Sequence, residues 1–81
     1  MRKEILQVFK TVFIREVPGM PLPNISDDLI LLESGMDSLG FAIFVTELEE
    51  ILGFDPFTLA SEAYYPQTFG ELVKFYEENK P

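Results

Sequence analysis

Phe41, Phe44, Val45, Leu48, Ile51 and Leu52 recur at the helical period and make one continuous apolar stripe. A segment patterned this way must bury one face against neighbouring elements. No segment of the chain alternates at period two for long enough to supply a sheet, so those neighbours should be helices. Gly53 follows the stripe as a natural C-terminal stop. Asp37 precedes it as an N-cap candidate whose carboxylate can accept from the free amides of the first turn. Ser38 then becomes the first residue of this helix.

Three other segments complete the pattern. Ile5, Val8, Phe9, Val12 and Phe13, with Leu6 and Val17 widening the stripe, predict a first helix that ends before Pro18. Asp55 and Pro56 suit the start of a short third helix, roughly six to eight residues long, before Tyr64, Tyr65 and Pro66. Thr68 and Glu71 have the spacing of a capping box, and Phe69, Leu72, Val73 and Tyr76 give the apolar face of a fourth helix that frays near Pro81. Between the first two helices "PGMPLPN" excludes regular structure, and the connection runs on through "ISDDLILLESGM" for about twenty residues, long for a compact domain. Leu29, Ile30, Leu31 and Leu32 can pack it down, as a short strand or as a helical turn. The expected fold is all-α: a small four-helix bundle of three main helices and one short third helix, with a long loop between the first two. A single domain over residues 1–81 is expected, since a chain of 81 residues buries only about 60% of its unfolded surface.

Composition removes several chemistries. There is no cysteine and no histidine, so disulfides, thiolate nucleophiles, imidazole bases and the common zinc sites are excluded, as is a Ser-His-Asp hydrolase. The fourteen acids suggest calcium, but no "D-x-[DN]-x-[DN]-G" loop occurs, and no metal site is expected. The formal charge is −8, and from Glu16 to Val73 there are eleven acids and not one Lys or Arg. Such a surface repels phosphate backbones and anionic lipid, so neither nucleic acid nor membrane is an expected partner. It suits partners with basic patches, or merely keeps a small protein soluble. The longest apolar run, Leu39 to Val45, falls far short of the roughly 20 residues a span requires, and a soluble, cytoplasmic monomer is expected.

The stretch "GMDSLGF" stands at the start of the second helix, after a long loop carrying "DDLILLESG" and before an acidic run, "ELEE". With the short third and capped fourth helices in order, the whole chain resembles an acyl carrier protein, the four-helix module that bears a 4'-phosphopantetheine arm. A bare Asp-Ser-Leu is weak evidence, because many helices begin this way for capping alone. Its position carries the weight.

The resemblance implies that Ser38, flanked by Asp37 and Leu39, receives the arm from a phosphopantetheinyl transferase using coenzyme A and magnesium. The arm's thiol then holds acyl cargo for loading and processing enzymes, and the chain itself is not an enzyme. A helix start also suits a bound phosphate physically, while Asp37 caps and presents the site. The docking face implied for the second helix includes Gly40, Ile43, Glu47, Glu49 and Glu50. Carriers of bacterial fatty-acid synthesis commonly place acids where this chain has Gly40 and Ile43, so partners relying on apolar contact beside the serine, in a specialised lipid, polyketide or related pathway, are expected. Gly40 either accommodates other packing or lets a partner or the arm approach the helix backbone. Ile43 could equally widen the core stripe. Cargo in this family can enter the bundle, which makes Phe41, Phe44, Leu48, Leu59, Phe69 and Leu72 either lining residues or plain core. The competing functions are an aminoacyl or peptidyl carrier and a cofactor-free acidic helical adaptor.

Overall fold

The computed structural model describes residues 1–61 and 63–81. Among them lie four α-helices: α1 (Arg2–Glu16), α2 (Ser38–Leu52), α3 (Pro56–Leu59) and α4 (Phe69–Glu78). The all-α bundle read from the sequence is therefore the observed fold, with the long irregular connection between α1 and α2 in its expected place. α3 is a single turn, shorter than expected, although Asp55 caps it through the Phe57 amide at 2.9 Å and Pro56 opens it.

The core is an aromatic cluster laid down by the helical stripes. Phe9 sits at its centre, with ring centroids 6.0 Å from Phe13, 5.4 Å from Phe44 and 6.0 Å from Phe69. The contacts with Phe44 and Phe69 are edge-on, the arrangement that ring quadrupoles favour. Ile5, Val12, Leu48 and Leu72 close around these rings, all fully buried. Phe75, which falls outside the expected α4 stripe, is also buried and packs on Phe57 at 5.0 Å. Ile51, which falls inside the α2 stripe, is 58% exposed and borders an open surface hollow with Lys3, Glu4, Gln7 and Val8 of α1.

The long connection resolves the choice between strand and turn by using both. Ile30 forms an isolated antiparallel bridge with Thr68, and Leu31–Glu33 make one 3₁₀ turn. Of the four apolar residues only Leu31 is buried, while Leu29 is half-buried and Ile30 and Leu32 face outward. Backbone bonds hold this segment against the start of α4: the Leu31 amide donates to the Gln67 carbonyl at 3.0 Å, the Phe69 amide to Leu29 at 2.9 Å, and the Gly70 amide to Asp27 at 3.0 Å. Arg2 of α1 pairs with Asp27 and lies over the Phe69 ring at 5.4 Å, so three parts of the chain meet there. The capping box of α4 is present in both directions, Glu71 N–H donating to Thr68 Oγ1 at 3.1 Å and Thr68 N–H to Glu71 Oε1 at 3.0 Å.

Candidate functional site

The approach to α2 is built by a residue that the helical pattern did not single out. Ser34 is buried, its hydroxyl donating to the Leu31 carbonyl at 2.6 Å and accepting from the Met36 amide at 3.4 Å. This ties the end of the 3₁₀ turn to the residues that lead into the helix. Met36 is thereby driven into the core, 1% exposed, and Asp37 is left at the N-cap. Its carboxylate accepts from the Gly40 amide at 2.8 Å, satisfying one of the orphan donors of the first turn.

Ser38 follows as the first helical residue and is exposed, as is Leu39 at 67%. In any α-helix the amides of these first two positions have no intrahelical acceptor, and they carry the positive end of the helix dipole. A phosphate on the Ser38 hydroxyl would find both, beside a carboxylate one of whose oxygens is already engaged by Gly40. The residues present therefore fit a phosphodiester-linked group.

Gly40 is buried, not part of the free face. A Cβ at this position would lie 2.8 Å from Met36 Cγ, so the close approach that requires glycine is made by Met36 from within the chain. Of the two readings of Gly40, this contact supplies the packing one. Ile43 is half-buried against the core. Glu47 is paired with Arg15 of α1, which also bonds Glu16 at 2.9 Å, and these two carboxylates hold the guanidinium pKa above its ordinary range. Glu49 and Glu50 are exposed. The outward stripe of α2 thus reads Leu39, Ala42, Thr46, Glu49 and Glu50, apolar beside Ser38 and acidic at its far end.

The expected lining residues divide. Phe44, Leu48, Phe69 and Leu72 are fully buried, all within the core cluster, whereas Leu59 is 53% exposed at the surface. Phe41 borders a cavity of about 160 Å³, whose other described walls are Ile30, Leu31 and Leu32 from the loop, Phe57 of α3, and Tyr65, Pro66 and Gln67 before α4. The Phe41 position is three residues beyond Ser38, on the adjoining turn of α2. The remaining walls come from segments without helical periodicity, which is why the pattern of apolar residues did not reveal them.

Among the described residues no helix is long and apolar enough to cross a membrane, and no cluster of acids could hold a metal ion. A family model described as a phosphopantetheine attachment site matches residues 9–64, from the middle of α1 past α3. No curated protein and no solved structure matches the chain.

Proposed function

Because the chain belongs to the phosphopantetheine attachment family, and is a carrier of covalent 4'-phosphopantetheine, we propose that Ser38 bears the arm and that the cargo is acyl. When bound, the arm supplies the thiol on which cargo travels as a thioester. The observation that carries the assignment of Ser38 is its place: an exposed hydroxyl at the first position of α2, with the Asp37 cap behind it and free first-turn amides beside it. Asp37 holds the helix start in one geometry for the transferase, and Leu39 offers that enzyme an apolar contact next to the reacting oxygen.

The acyl reading, against an aminoacyl one, is supported by the cavity behind Phe41. Every described residue lining it is uncharged, so none of them supplies a carboxylate to pair with the ammonium of an aminoacyl group. Burying that charge unpaired is costly, whereas an uncharged acyl group gains by leaving water. Partner enzymes would meet the outward stripe of α2 through apolar contact at Leu39 and Ala42 and basic groups facing Glu49 and Glu50. The positions where fatty-acid carriers commonly hold acids are occupied by buried Gly40 and half-buried Ile43, which supports dedicated enzymes of a specialised lipid, polyketide or related pathway.

Incubation with a promiscuous phosphopantetheinyl transferase, coenzyme A and magnesium, followed by intact mass measurement, tests the attachment residue. One added arm on the native chain and none on Ser38→Ala is the expected result. An arm on Ser38→Ala would move the attachment elsewhere, and no addition to the native chain would restore the cofactor-free adaptor. The thioesters on protein recovered from its native host decide between acyl and aminoacyl cargo.

A further inference from the structure

From the size and walls of the cavity behind Phe41 we infer that this carrier shelters a compact acyl group, about the volume of one aromatic ring, and leaves longer chains outside. The inference rests on the acyl reading of the arm at Ser38 and specifies its cargo. The cavity holds about 160 Å³ and opens to solvent past Leu32 and Tyr65, 59% and 77% exposed; in volume it is close to the ~150 Å³ apolar cavity that takes up benzene in a well-studied protein core. Phe41, Phe57 and Tyr65 give its lining three aromatic residues, beside Ile30, Leu31, Leu32, Pro66 and the polar Gln67. Rings of this kind offer face and edge contacts to another ring.

The cavity cannot lengthen inward. Phe44, which contacts Phe41 at 6.2 Å between ring centroids, is itself edge-on to Phe9, and both are fully buried. Two walls are also fixed laterally, because the loop carrying Ile30 and Leu31 is bonded through its backbone to Gln67 and Phe69. Phe57 is wedged against Phe75 and Tyr76, at 5.0 and 6.1 Å. Space for a long chain would require expelling aromatic side chains from a close-packed core, which protein interiors resist.

The test loads the full chain with coenzyme A thioesters of butyryl, hexanoyl, phenylacetyl and dodecanoyl groups, using the transferase, and confirms each product by intact mass. Cleavage by hydroxylamine is then followed for each form and normalised to the same thioester on free pantetheine. Hexanoyl and phenylacetyl should be cleaved several-fold more slowly than their free counterparts, with a raised melting temperature, and dodecanoyl should be cleaved at nearly the free rate. Tyr65→Ala, which alters an exposed wall, should abolish the protection without impairing folding of the unloaded chain. Protection that rises steadily through dodecanoyl, or cleavage at the free rate for every cargo, would overturn the inference. Absence of any loading on the native chain would instead overturn the attachment reading on which it rests.

Discussion

At the scale of single residues, Gly40 shows how one position in a readable motif depends on something the motif does not contain. A glycine in the first turn of a helix sacrifices up to about 1 kcal/mol relative to alanine, and the helical pattern offers no reason for it. The reason is Met36, placed by the Ser34 turn so that its side chain lies where a Cβ would project. Gly40→Ala should therefore destabilise the chain despite the better helix former, by about 1–3 kcal/mol of overpacking, measured by urea unfolding. In a Met36→Ala background the same change should become neutral or stabilising, a coupling that independent sites would not show. Asp37 and Ser38 were legible because capping is a local rule; the buried neighbour of Gly40 was not, because it arrives through an irregular turn.

Among elements, α1, α2 and α4 were legible from period and caps, and for a physical reason. Each buries a stripe on the same aromatic cluster, so its sequence repeats the helical period. Ile51 and Phe75 mark the limit of that reasoning, since the period places a residue on a face while neighbouring elements decide how much of the face is covered. The α4 capping box carries a pH signature. Glu71 accepts from the Gln67 and Thr68 amides, at 2.9 and 3.0 Å, and these bonds, Gln67's foremost, hold its pKa below the ordinary carboxylate range. A depressed folded value means that the stabilisation is fully present above the unfolded value of about 4.3 and fades as pH falls through the folded one. Glu71→Gln should lower the melting temperature near neutrality and flatten its dependence on pH below 5, as read by thermal unfolding across that range.

For the molecule as a whole, the alkaline limit of stability is set in its interior. Tyr76 is buried in the core, and that burial, with the nearby charges of Asp55 and Glu49, pushes its phenol above the usual tyrosine range. The fold favours the neutral phenol, so this contribution is present below the unfolded value of about 10 and is lost as pH rises from there toward the folded value. Melting temperature should fall steeply above about pH 10 in the native chain and less steeply in Tyr76→Phe. The assembly of the cavity wall is likewise a property of the whole, joining loop, α2, α3 and the entry to α4. Long-range backbone pairing leaves no period in a sequence, which is why this part of the site was not legible.

That pairing also gives the irregular segment an unusual persistence in time. The amides of Leu31, Phe69 and Gly70 are each bonded across the junction between the long loop and α4, so none can open without parting the two. In hydrogen exchange their protection should be equal and should track that of the α4 interior rather than the fast exchange common in loops, and slow exchange of Phe69 and Gly70 beside fast exchange of Leu31 would contradict it. A segment with no helical period, residues 27–31, should thus open only together with the helix to which it is bonded.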